Sequence, residues 1–142
     1  MVSSNLYIGT YNIRSYQVHA DELQIEAKKI KCDIISLAEV RKCGTGRVDL
    51  TNGTSLYYSG HTDNPKDGVG FFINLLLKQL VHGFSATSPR IAQLLLQIQN
   101  SNRLLRLIQV YAPATSAKDP SDATYDAFLD NLALTLTTRI DR

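Results

Sequence analysis

The chain has 142 residues, 44% of them hydrophobic and 20% charged, which suits one globular domain with its own core and excludes a disordered or fibrous chain. The formal net charge of +2 comes from Lys and Arg dispersed along the chain, so any contact with phosphate has to rest on individual residues rather than on a basic block. The longest apolar stretch, Phe71 to Leu77 with Asn74 inside it, is far short of the ~20 residues of a membrane span.

In chain order, Leu6, Ile8 and Thr10 alternate with Tyr7, Gly9 and Tyr11, the period of a short strand ending at Asn12. The period then changes. Ala20, Leu23, Ala27 and Ile30 fall at helical spacing with charged residues between them, which predicts an amphipathic helix from Ala20 to Lys31. Ile34 to Ala38 is a near-continuous apolar run, the pattern of a strand buried on both faces. Strand, helix and strand together make a crossover unit with a parallel pair.

Lys42 to Thr54 is rich in Gly, Thr and Asn and reads as loop. Its Asn52-Gly53-Thr54 matches a glycosylation sequon, but the plain reading is a turn. Ser55 to Ser59 is a short strand, Gly60 to Asp67 a turn region, and Gly68 to Ile73 a strand that begins on a glycine. Asn74 to Ser88 carries no decisive pattern. Ile91 to Gln99 and Leu104 to Tyr111 flank a short polar turn and predict a hairpin. Ala114 to Asp119 is the one candidate linker. Pro120-Ser121-Asp122 then offers a helix start, and Tyr125, Phe128, Leu129, Leu132 and Leu136 form one helical stripe.

Chemistry concentrates where strands end. Asn12 and Glu39 close two neighbouring apolar strands, and a carboxylate beside an amide oxygen is suitable hard-oxygen ligation for Mg²⁺. Tyr111 ends a later strand in the same way. Each residue also has a plain reading: Glu39 a loop carboxylate, Asn12 a turn residue, Tyr111 a strand-end aromatic, Arg41 a solvated cation. Cys32 and Cys43 form no CxxC and have no His at zinc-ligand spacing, and the N-terminus lacks the pattern of a signal peptide. Reduced thiols and a nuclear or cytoplasmic rather than secreted protein are therefore expected.

Three segments carry a family resemblance: Gly-Thr-Tyr-Asn-Ile-Arg-Ser at Gly9 to Ser15, Ser-Leu-Ala-Glu-Val-Arg at Ser36 to Arg41, and Val-Tyr-Ala-Pro at Val110 to Pro113. They resemble the endonuclease/exonuclease/phosphatase superfamily, the deoxyribonuclease I-like and abasic-site endonuclease fold. The resemblance is closest to nuclease domains of non-LTR retrotransposons and to craniofacial-development-protein-like domains, and runs from Tyr7 to about Leu136. It implies that Glu39 is the main protein ligand of a catalytic Mg²⁺, with Mn²⁺ as a substitute. Asn12 would belong to the network around the metal and nucleophile, and Tyr111 would lie beside the scissile phosphate. Arg41 would contact the nucleic-acid backbone. Arg90 matches a recurrent arginine before the hairpin and is assigned to nucleic acid, although the residues alone leave packing open. Arg14 departs from the family, standing where some members place an acidic residue.

The superfamily's Asp-x-Asn and Asp-His motifs are not found, and His19, His61 and His82 stand in no motif. The resemblance thus implies the N-terminal half of a four-layer α/β sandwich, a mixed sheet with flanking helices, as a single partial domain over residues 1–142. The function implied is a Mg²⁺-dependent phosphodiesterase or endonuclease acting on nucleic acid, with DNA favoured, truncated and inactive alone. The alternative is a non-enzymatic nucleic-acid or protein interaction module derived from such a nuclease. Expected partners are nucleic acid and either a complementary C-terminal half or a second copy. A chain with mainly one sheet would leave Leu94, Leu96, Ile98, Leu105 and Leu107 partly uncovered.

Overall fold

The computed structural model describes residues 5–98, 101–114 and 123–138. Strand β1 (Ile8–Asn12) leads through helix α1 (Tyr16–Ile30) to β2 (Ile34–Ala38), and the two strands pair in parallel from Ile8 opposite Ile34 to Asn12 opposite Ala38. β3 (Thr45–Asp49), β4 (Ser55–Ser59) and β5 (Val69–Ile73) complete a five-stranded sheet in the order β1-β2-β5-β4-β3. A 3₁₀ turn (Leu75–Leu80) then hands the chain to an antiparallel sheet of β6 (Val81–Ser88), β7 (Ile91–Gln97) and β8 (Leu104–Val110), and α2 (Ala123–Thr137) follows.

The two central strands explain the layering. All five residues of β2 and all five of β5 are buried, so both faces of the first sheet must be covered. On one face Ile35, Leu37, Leu56 and Phe72 pack against Ile13, Tyr16 and Leu23 of the α1 segment. On the other, Ile34, Tyr57, Val69, Phe71 and Ile73 meet Ala92, Leu94 and Leu96 of β7. α2 lies against β6, where the Thr87 and Thr135 hydroxyls are 2.6 Å apart. Arg106 of β8 donates to the Thr135 and Thr138 carbonyls. Helix, sheet, sheet, helix is therefore the order of layers, the expected α/β class.

That arrangement corrects the single-sheet expectation. The two sheets bury each other, leaving Leu94 and Leu96 buried and Leu105 and Leu107 half-buried; of the residues named, only Ile98 is exposed. α1 also starts earlier than the periodicity predicts. Its first amides are satisfied by backbone, Ser15 N–H donating to Glu39 O at 2.8 Å and Tyr16 N–H to Val40 O at 2.9 Å, without a side-chain cap. β3 forms inside the expected loop because antiparallel pairing with β4 overrides its weak local preference. The hairpin is present, its first strand ending at Gln97. The proposed Pro120-Ser121-Asp122 start and most of the linker lie outside the described residues. The α2 stripe is only partly used: Phe128 is buried, Leu132 half-buried, and Tyr125, Leu129 and Leu136 are exposed.

Because β8 packs over β2 while β6 packs over β4, the β1 edge of the first sheet and the β8 edge of the second lie on one flank. Tyr7 O accepts from Ile34 N–H, and Ile13 N–H donates to Ala38 O; with the period of two, the N–H and C=O of Ile8 and Thr10 point away from β2. Leu6, Tyr7, Ile8 and Tyr11 are exposed there, and Tyr11, Ile25 and Ile30 line a groove of about 490 Å³ between β1 and α1.

Gly70 marks the closest approach within the first sheet, since a Cβ there would sit 2.5 Å from the Tyr57 carbonyl oxygen. Gly70→Ala is expected to cost ~1–3 kcal/mol through forced displacement of β4, read from the midpoint of urea unfolding. An unchanged midpoint would mean that the strand yields freely.

Candidate active site

Topology brings the strand ends together. β1 and β2 run in parallel, so Asn12 and Glu39 emerge at the same end, where Asp67 and Gly68 lead into antiparallel β5. Backbone hydrogen bonds knit these loops: Val40 N–H donates to Gly68 O at 3.1 Å and Arg41 N–H to Asp67 O at 2.8 Å. Gly68 N–H reaches Pro89 O at 3.2 Å, connecting the turn before β7.

Glu39 is the hub. Its Oε1 accepts from the Tyr111 hydroxyl at 2.6 Å, across the interface between the sheets, and its Oε2 accepts from Arg41 Nη2 at 3.2 Å. Asn12 is near enough to help lower the Glu39 carboxyl, and its Oδ1 accepts from Arg14 N–H at 3.2 Å. The structure thus gathers Asn12, Glu39, Arg41 and Tyr111. Arg90 is placed differently: its Nη1 donates to Tyr111 O at 3.1 Å and its Nη2 to Asp67 Oδ1 at 3.3 Å. Its guanidinium lies 5.0 Å from the Tyr111 ring centroid. Both arms are engaged within the protein, so Arg90 packs against Tyr111.

The backbone is strained at the same place. Arg14, Ser15, Glu39, Arg41 and Asp67 all have positive φ, and none is glycine. Such conformations cost of order 1–3 kcal/mol each and persist where surrounding structure over-determines them, as at functional sites. The knitted loops supply that constraint.

Sequence reasoning missed Asp67 and His61. Asp67 is nearly buried and accepts from His61 Nε2 at 3.0 Å as well as from Arg90. The Asp67-Gly68 pair signals a tight turn. Nothing local, however, signals that its carboxylate reaches a residue 23 positions away.

The Glu39 carboxyl is held below the usual carboxylate range, first by the Tyr111 hydrogen bond, against partial burial, and then by Asn12, Arg41 and Arg14. The same contact, helped by burial, raises the Tyr111 phenol. A lowered carboxyl contributes stability above its unfolded pKa and loses it as pH falls through the folded value; a raised phenol contributes below its unfolded pKa and loses it as pH rises through the folded value. The unfolding free-energy gap between the unaltered chain and Tyr111→Phe is therefore expected to be widest from about pH 5 to about pH 9, between the unperturbed Glu and Tyr values. Chemical denaturation across pH measures it. A gap independent of pH would show that the bond does not couple the two groups.

The sequence matches no protein-family model and none of the curated proteins. Solved structures do match. The catalytic domain of APE2 from Xenopus laevis aligns at 16% identity with a TM-score of 0.64, over 89% of this chain and 52% of that one. An AP endonuclease from Archaeoglobus fulgidus aligns at 18% identity with a TM-score of 0.68, over 96% and 53% respectively. NExo, a 3′ phosphatase from Neisseria solved with a product DNA hairpin, aligns at 15% identity with a TM-score of 0.66, over 93% and 51%. The chain spans about half the length of each of these structures. Its fold is accordingly the endonuclease/exonuclease/phosphatase fold, over about half of that fold's usual extent in these enzymes.

Proposed function

We propose that this chain is the N-terminal half of a Mg²⁺-dependent phosphodiesterase domain acting on nucleic acid, with DNA favoured, and that it is incomplete by itself. The observation that carries this reading is the convergence of Asn12, Glu39 and Tyr111 across two sheets on a strained set of strand ends. Among the described residues no group of three or more His, Cys, Asp and Glu gathers for a metal, so Glu39 would be the single acidic ligand, with the Asn12 amide beside it. That suits Mg²⁺, which binds through one or two carboxylates and keeps several waters. When bound, the ion would neutralise a phosphate oxygen and stabilise the leaving alkoxide. Tyr111 would steady the Glu39 carboxylate, and Arg41, with a 45% exposed side chain, would take a backbone phosphate. Groups that activate water would come from a complementary half.

Binding to a duplex carrying one abasic site, measured by fluorescence anisotropy over a salt series, tests the reading. The isolated chain should bind with a salt slope that Arg41→Ala reduces by ~1, the signature of one lost phosphate contact. Absence of salt-dependent binding would remove nucleic acid as the partner.

The open flank favours the second reading, an interaction module. The β1 edge has no lysine, proline or bulge to protect it, and Leu129, Leu134 and Leu136 of α2 are exposed as well. Self-association or capture of a second half would cover these surfaces. Light scattering over a concentration series with a dye for apolar surface decides: a monomer without dye binding would make the half-fold self-sufficient.

A further inference from the structure

We propose that Asp67 and Arg90 are positioning residues that fix the Tyr111 phenol on Glu39. Tyr111 stands just beyond the last ladder pair of an edge strand, Ile91 opposite Val110, so pairing alone does not orient its side chain. Arg90 does so at three points. Its carbonyl accepts from Tyr111 N–H at 2.9 Å, its Nη1 donates to Tyr111 O at 3.1 Å, and its planar guanidinium covers the ring. Only the hydroxyl remains, and it lies 2.6 Å from Glu39 Oε1.

Asp67 links this bracket to the other sheet. Through its side chain it holds Arg90 Nη2, and through its backbone carbonyl it accepts from Arg41 N–H, two residues past Glu39. One residue therefore contacts both the segment that carries Glu39 and the arginine that carries Tyr111. The Asp67 side chain is 10% exposed and that of Arg90 20%, which leaves little of either for a ligand. The planar fork matters here, because an ammonium cannot meet a carbonyl and a carboxylate while lying flat on a ring. The purpose assigned to the bracket rests on the phosphodiesterase reading, whereas its geometry does not.

The test uses the full chain with all seven tyrosines replaced by 3-fluorotyrosine and read by ¹⁹F NMR without metal or nucleic acid. Tyr111→Phe assigns the Tyr111 signal, and Glu39→Gln gives the shift produced by weakening the phenol's partner. Arg90→Lys, which keeps the charge, and Asp67→Asn, which keeps the shape, are each expected to move the Tyr111 signal at least as far as Glu39→Gln does. The Tyr57 and Tyr58 signals on β4 stay in place. An unmoved Tyr111 signal in both variants overturns the proposal, and so does an equal movement of Tyr57 and Tyr58, which would make the pair a general packing contact. Should the chain fail to bind nucleic acid, the nuclease reading falls while this result stands.

Discussion

Phe71→Ala is expected to remove ~3–5 kcal/mol of stability, the usual cost of truncating a fully buried phenylalanine. Phe71 is 0% exposed. It sits on β5 opposite Ser36 and Tyr57, projects into the layer between the sheets, and meets the Phe84 ring edge-on at 6.1 Å between centroids. Its neighbours in that layer are buried residues such as Ile34, Tyr57, Val69 and Leu94, held in their strands by ladder pairing, with the half-buried Phe84 beside them. Domains of this kind hold only ~5–15 kcal/mol in total, and the uncovered flank argues for the lower end. Urea unfolding followed by circular dichroism is the measurement. A cost below ~1 kcal/mol would contradict tight packing of the layer between the sheets around Phe71.

Plasmid nicking by the isolated chain in Mg²⁺ is expected to remain near background. Within the proposed function, Glu39 and Asn12 provide for a metal and Arg41 for a phosphate, but the superfamily motifs that activate and orient water are not found in the sequence. Positioned acid or base groups typically contribute ~10²–10⁴ in rate, so a domain without them falls short by at least that factor. Robust nicking abolished by Glu39→Ala would overturn the prediction. It would also direct attention to His61, which pairs with Asp67 beside the site and would become the first candidate for a base.

Much of the fold was legible because its signals are local. The apolar run of β2 and the hairpin of β7 and β8 each declare themselves within a few residues. β6 does not, because its register shifts between Val81 and Gly83 and again between Ala86 and Ser88, and two irregularities in eight residues erase the alternation that marks a strand. The N-terminal turn of α1 was hidden for a different reason: the carbonyls that satisfy it belong to Glu39 and Val40. In the site, Glu39 and Asn12 could be proposed from position alone, since two parallel strand ends must share an end. Arg90 could not be placed, because whether an arginine packs or binds depends on what its two arms find. They find Asp67 and Tyr111, contributed by opposite sheets.

The left-handed residues around Glu39 also bear on how this sequence would drift or be engineered. Glycine adopts positive φ without the penalty of a side chain, so replacements at Arg14 or Ser15 that relax the backbone would raise the melting temperature while loosening the loops. A library screened for thermal tolerance alone would enrich such glycines and lose the alignment of Tyr111 with Glu39. Five bulkier residues in those conformations therefore hold a geometry that a stability screen alone would not keep.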